Sequence, residues 1–203
     1  MTSCEDVIDV DLPSTKPILI IDANINLFDS DSSSSLEGGV RLSLSADFFE
    51  QQVPIVENAS VTLTNLNSGE EHLLPYSGTD GWYQPKSSNI FLDREASYAL
   101  LVNYNNQKYR AETTIYSVSP IDSIQQGTRT LFQGDEIEVE ISFSDNSNLD
   151  NFYLYDLGFD EFQPIRDQFF QGSSFTFSNF YDAEDLSVGD TLLIKGYGIS
   201  KQY

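Results

Sequence analysis

Ile137-Glu138-Val139-Glu140-Ile141-Ser142-Phe143 alternates apolar and polar side chains without a break. Successive side chains of a strand point to opposite faces, so a period of two marks a β-strand. It turns Ile137, Val139, Ile141 and Phe143 inward and Glu136, Glu138 and Glu140 outward. Val40 to Ala46 repeats the pattern, with Val40, Leu42, Leu44 and Ala46 on one face. Ala59 to Thr64 does so again, and the turn-forming run Asn65 to Gly69 returns it as a hairpin. Tyr98, Leu100, Val102 and Tyr104 form a further face; Asn105-Asn106 turns the chain, and Tyr109, Ala111, Thr113 and Ile115 mark the returning strand. Helical periodicity is nearly absent. Such a chain is expected to be all-β.

Pro17 to Phe28, the strand through Leu73 and Gly81-Trp82-Tyr83 bring the count before Ser119-Pro120 to about seven strands, a pattern that predicts an immunoglobulin-like β-sandwich. No paired cysteines accompany it, so only the architecture is implied. Pro120 cannot donate to a central ladder and marks a boundary near Ser117–Ser123. Beyond it, Phe152 to Leu157, Phe175 to Phe177 and Thr191 to Ile199 carry further strand signals, with turns at Asp145–Asn148, Gly158 and Ser187–Asp190. The expected organisation is a tether over 1–13, the sandwich over 14–118 and a smaller second β-domain over 119–203. The strand beginning at Leu192 meets no closing element before Tyr203, so that domain is expected to be incomplete. A single continuous β-structure is the alternative. Asp29 to Gly39, DSDSSSSLEGG, reads as a polar loop without chemistry.

The 203 residues carry 32 acids against 10 bases, a formal charge of −22 spread evenly along the chain. No basic stripe exists, so nucleic-acid binding through phosphate neutralisation is excluded as an expectation. An apolar content of 39%, a third of it aromatic, is too rich for a disordered chain. Apolar runs such as Ile18 to Ile21 are strand-sized and far below the roughly 20 residues of a membrane helix. The start lacks a secretory signal pattern, so either the protein is cytoplasmic or a signal has been replaced by a short leader.

Chemistry-bearing constellations are sparse. Cys4 is the only cysteine and His72 the only histidine, and no Gly-x-Ser-x-Gly occurs. Too few ligands exist for a Cys/His zinc site. Asp145 to Asp150, DNSNLD, places oxygens at alternate positions, as calcium prefers, with Asp145, Ser147 and Asp150 as the candidate ligands, but without the loop glycine and the bidentate glutamate. A polar β-turn explains the same residues and is the preferred reading. Asp156, Asp160, Glu161 and Asp167 form a second acidic cluster read the same way. Aromatic residues crowd Phe152 to Tyr181 beyond the needs of one small sheet, so a partner-binding patch is weighed there, with Phe159, Phe162, Phe169 and Phe170 as candidates. No acid–base pair rises above chance in so acidic a chain, and the chain is expected not to be an enzyme.

The order of several short segments resembles a family of Bacteroidota outer-membrane lipoproteins, domain of unknown function 4249 (DUF4249). CEDVIDVDLP is similar to a lipidated cysteine followed by acids, Lys16 to Asn26 to the family's first strand, and VRLSLSADFF to the next. Val56 to Leu63, Gly81-Trp82-Tyr83, Tyr98 to Val102 and Tyr109 to Thr113 follow in register. Pro120 to Ile124 resembles an interdomain segment, and DQFFQG and Gly189-Asp190-Thr191 resemble later motifs. The resemblance implies an accessory lipoprotein of a TonB-dependent uptake system, with a TonB-dependent receptor as partner and no established catalytic residues or cofactor. It makes Cys4 the expected lipidation site and the acid run after it a surface-export signal. A free-standing binding module for calcium or a small nutrient is the alternative, and an acid-pair hydrolase a more distant one.

Overall fold

The computed structural model describes residues 16–30, 33–48, 50, 52–85, 92–131, 134–145, 150–182, 184–187 and 189–202. These form thirteen strands, one 3₁₀ turn and no α-helix, so the fold is all-β. The chain divides into two compact units. One holds the described residues up to Leu92 together with Tyr98–Glu112; the other holds Asp93–Ser97 and everything described from Thr113 onward.

The first unit is built from β1 (Leu19–Ser30), β2 (Ser33–Leu44), β3 (Ser60–Asn65), β4 (Glu71–Leu74), β5 (Trp82–Tyr83), β6 (Ser97–Tyr104) and β7 (Gln107–Thr114), whose end strands reach slightly beyond it. They pair as two antiparallel sheets, ordered β1-β2-β5 and β4-β3-β6-β7. Val40, Leu42, Val56, Val61, Leu74, Tyr83 and Val102 are buried, as the alternation requires. Each contributes about 1.5–3 kcal/mol by leaving water. The buried Tyr83 hydroxyl is satisfied: it accepts from the Ala59 N–H and donates to the Val56 carbonyl, both at 3.0 Å. Asn105 and Asn106 both take positive φ (47° and 60°), the type I′ geometry that matches strand twist in a two-residue hairpin.

The serine-rich stretch Asp29 to Gly39, expected as a loop, is largely strand. β1 and β2 stay in register through Leu27↔Leu36 and Phe28↔Ser35 to Ser30↔Ser33. Ladder bonds are made by backbone groups, so polar side chains do not prevent pairing. Gly38 supplies a left-handed kink (φ +91°), where a Cβ would lie 1.9 Å from the Asn24 carbonyl oxygen.

The second unit comprises β8 (Ile121–Gln126), β9 (Ile137–Ser144), β10 (Phe152–Asp156), β11 (Phe162–Arg166), a 3₁₀ turn (Asp167–Phe169), β12 (Ser174–Tyr181) and β13 (Lys195–Gly198). Its sheets run β12-β9-β8 and β11-β10-β13. Phe143 of β9 is the centre of the core, with ring centroids 5.2 Å from Tyr153 and 5.3 Å from Tyr155 of β10. Gly196 lies opposite Tyr155, and a Cβ there would meet the Tyr155 ring at 3.1 Å.

Glu138, expected to face solvent, is buried. It does point away from the Phe143 core, but the segment after β8 folds over it. The Arg129 N–H donates to Glu138 Oε2 at 2.8 Å, and the Arg129 guanidinium ion-pairs with Oε1 and donates to Ser178 Oγ at 2.7 Å. Gly127 makes room for this: a Cβ at 127 would sit 2.1 Å from Glu138 Oε2. Burial works to raise the Glu138 carboxyl, yet the bonds from Arg129 and Ser178 and the guanidinium charge outweigh it and hold the pKa at about 2.

Candidate functional site: a polar pocket in the second unit

Asp145 follows β9 directly and is held by the chain on both sides. Its N–H donates to the Ser173 carbonyl at 3.1 Å. Oδ2 accepts from the Gly172 N–H at 2.8 Å, while Oδ1 accepts from the Tyr153 hydroxyl and, at 3.4 Å, from Asn151 Nδ2. With both oxygens accepting from protein donors, Asp145 ties the end of β9 to Asn151, Tyr153 and Gly172. Ser147 lies outside the described residues. Asp150 accepts from Gln171 at 3.4 Å, and no group of three or more His, Cys, Asp or Glu is placed to hold a metal among the described residues.

Asp145 nevertheless borders a pocket. Together with Glu95, Ser117, Ser119, Asn151 and Tyr153 it lines a recess of about 320 Å³, wholly within the second unit. Glu95 sits in a left-handed conformation (φ 60°), an uncommon one for a residue with a Cβ. Its N–H donates to the Ile115 carbonyl at 2.8 Å, and its Oε1 accepts from the Ser117 N–H at 2.9 Å.

Tyr153 forms the floor. Burial pushes its phenol well above the ordinary tyrosine value, and the hydrogen bond to Asp145 pushes it the same way. The phenol therefore keeps its proton, donates to Asp145 and sits 3.3 Å from Ser119 Oγ. Ser144, also on the wall, donates to Asp122 Oδ2 at 2.7 Å. The lining is thus rich in hydroxyls and carboxylates, suited to hydrogen-bonding a small polar or cationic molecule. Beneath it, the Tyr155 hydroxyl is buried with no hydrogen-bond partner among the described residues.

The aromatic candidates separate. Phe159 and Phe162 are both exposed at the β10–β11 turn, which is closed by the Leu157 N–H to Glu161 carbonyl bond at 2.9 Å. Phe169, 91% exposed, lies in the 3₁₀ turn past the other end of β11, about 13 Å away for a five-residue strand. Phe170 is not a surface residue: it is buried, stacked on Phe175 at 4.2 Å and edge-on to Phe143 at 5.6 Å. The aromatic excess is thus partly core, and the four do not form one patch. Of the second cluster's acids, Asp156, Asp160 and Glu161 stay at the β10–β11 turn, where Asp156 accepts from the Gly158 N–H at 3.0 Å, whereas buried Asp167 lies past the other end of β11 and accepts from the Asn151 N–H at 2.7 Å. His72 lies in the other unit, 3.8 Å from Glu70. Cys4 is outside the described residues.

Sequence reasoning reached Asp145 but not Glu95 or Tyr153, because the pocket joins segments that are far apart in the chain. Its one local signal was the Ser117-Val118-Ser119-Pro120 run, which read as a boundary.

The model of a family described as a domain of unknown function, DUF4249, matches residues 5–203, and the chain belongs to that family. No curated protein and no solved structure matches it.

Proposed function

We propose that this protein is a non-catalytic binding protein, anchored in the outer membrane through lipid on Cys4 and accessory to a TonB-dependent receptor in nutrient uptake. The observation that carries the binding role is the pocket of the second unit, whose volume falls in the range of small-ligand sites and whose wall sets the Glu95 and Asp145 carboxylates and several hydroxyls among the apolar Val118 and Pro120. The anchoring role is supported by Cys4 and the acids that follow it. The lining favours recognition over reaction: the Asp145 carboxylate and the Tyr153 phenol are bonded to one another, which fixes the shape of the wall and leaves the remaining acceptor sites of the carboxylate for a ligand.

The test is expression of the full-length gene in its native host with an affinity tag. Metabolic labelling with an alkyne fatty acid is expected to mark the wild type and not Cys4→Ser. Purification from solubilised outer membrane is expected to recover a TonB-dependent receptor. An unlabelled wild type removes the anchor, and an eluate without such a receptor removes the accessory role.

A further inference from the structure

The outer face of the β1-β2-β5 sheet is apolar where a solvent-facing antiparallel sheet is ordinarily polar. Its geometry follows from register. Ile20 lies opposite Ser43, and Ser43 bridges to Ile55 on its other side. One step along, Ser45 meets Ile18 through the Ser45 N–H to Ile18 carbonyl bond at 2.8 Å, and the Leu44 N–H bonds the Pro54 carbonyl, which sets Val53 beside Ser45. Alternation then puts Ile18, Ile20, Ser43, Ser45, Val53 and Ile55 on one face, while Leu42 and Val56 point into the core. Exposure agrees: Ile18 is 67%, Val53 52%, Ile20 46% and Ile55 37% exposed. Two β-branched ridges, about 10 Å apart across two strand spacings, thus flank a floor of small serines. Ile18 also borders a recess of about 500 Å³ walled by Lys16, Leu44, Tyr104 and Tyr109.

A groove of this kind is hydrophobic at its centre and acidic at its ends. Asp22 and Glu57 continue its two ridges with Arg41 on the floor between them, opposite Asp22, and Asp47 and Glu50 lie on the turn at the other end, so with Lys16 four acids stand against two cations. A second copy would bring like rims together on top of a formal charge of −22 per chain, and an anionic membrane would repel the face in the same way. The chain from Cys4 to Lys16 spans at most about 43 Å when fully extended, which keeps the groove near any membrane to which Cys4 is anchored. We propose that this groove docks a protein partner in the same membrane, one presenting an apolar ridge flanked by lysine or arginine. This rests on the anchored, accessory reading above and adds to it the surface through which the partner is held.

The test compares tagged full-length wild type, Ile20→Asp/Ile55→Asp, and Leu73→Asp, which changes an equally exposed apolar residue on the other sheet. Eluates from native outer membrane are quantified by mass spectrometry, and the captured protein is repurified and titrated directly. The expected result is one membrane protein retained by wild type and Leu73→Asp, reduced at least about tenfold by the double variant, with binding weaker at 0.5 M than at 0.05 M salt, as a charged rim requires. Circular dichroism checks folding, and Ile20→Ser/Ile55→Ser serves if the aspartates prevent it. Equal recovery of a receptor by every form overturns the docking and leaves the accessory role standing. A variant-sensitive partner that is some other membrane protein keeps the docking and overturns the receptor. Light scattering that shows a dimer split by the double variant, or flotation with phosphatidylcholine vesicles lost in it, assigns the face to self-association or lipid and overturns the proposal.

Discussion

Each unit has a strand that is apolar inside and faces outward on its other side, β2 in the first and β9 in the second, and the two outer faces differ sharply. On β9 the outward positions are Glu138, Glu140, Ser142 and Ser144, and each is bonded to a neighbour: Ser142 with Thr176 at 2.7 Å, Ser144 with Ser174 at 3.0 Å, and both glutamates with Arg129. On β2 the outward Ser43 and Ser45 are flanked by bare Ile18, Ile20, Val53 and Ile55. The inner faces are equivalent, with Leu42 and Val40 matched by Ile141 and Phe143, all fully buried. Stability therefore explains the inside of both strands and the outside of β9. Outward polar groups of β2 are bonded too, Arg41 Nε to the Asp80 carbonyl at 3.1 Å and Ser45 Oγ to the Ile18 N–H at 2.9 Å. It is the exposed Ile18, Ile20, Val53 and Ile55 beside them that stability leaves without a reason, which is why that face reads as a place for a partner.

Equivalence of the inner faces is the part with the largest expected effect. Phe143→Ala should cost about 3–5 kcal/mol and Leu42→Ala about 2–5 kcal/mol in urea unfolding, since each empties a closed site. A loss below about 1 kcal/mol at either position would break the symmetry between the units. On the outer face of β9, Gly127→Ala should cost about 1–3 kcal/mol, because the new methyl meets the Glu138 carboxylate and displaces the Arg129 segment. The same glycine-to-alanine change at Gly69, where a Cβ would meet nothing within 4 Å, sharpens the point by costing only the strain of its positive φ (79°).

Acid should distinguish the two faces next. The Glu138 carboxyl lies at about 2 in the folded chain against an ordinary 4.5, so the folded state binds this proton less readily than the unfolded state. Its contribution is complete above pH 4.5, falls as pH drops through that window and is gone below about 2. Melting temperature plotted against pH should show a step there for wild type that Glu138→Gln lacks. Ser43 and Ser45, the outward serines of β2, carry no carboxylate and add no such step.

Much of this was legible from alternation alone. Ile137 to Phe143, Val40 to Ala46 and the Asn105-Asn106 turn all fell where period two and turn chemistry put them. Glu138 was placed on the correct side of β9 and still misjudged, because its cover comes from Arg129 and Gly127 across a turn that pattern reading treats as solvent. β11 was missed since Pro164 argues against a central strand, and β11 is an edge strand, where proline is tolerated. The pocket was out of reach because Glu95, Ser119 and Tyr153 meet only through the fold. The apolar face of β1 did leave a trace: Ile18-Leu19-Ile20-Ile21 is apolar at every position, a signature of a strand covered on both sides that β6 and β10 share in Tyr98 to Val102 and Phe152 to Tyr155.

That trace supports the smallest expected effect. If the outer face of β2 serves no structural purpose, Ile20→Thr should keep β-propensity, remove little buried area and change stability by no more than about 0.5 kcal/mol. Ile21→Thr, one residue on and turned toward the core, should cost more, because its methyls leave a less exposed site and a hydroxyl enters it. Paired urea titrations of the two variants therefore measure the sidedness of β1 directly. Equal losses would mean that Ile20 is a structural residue after all, and the groove would lose its claim to be a surface kept for something else.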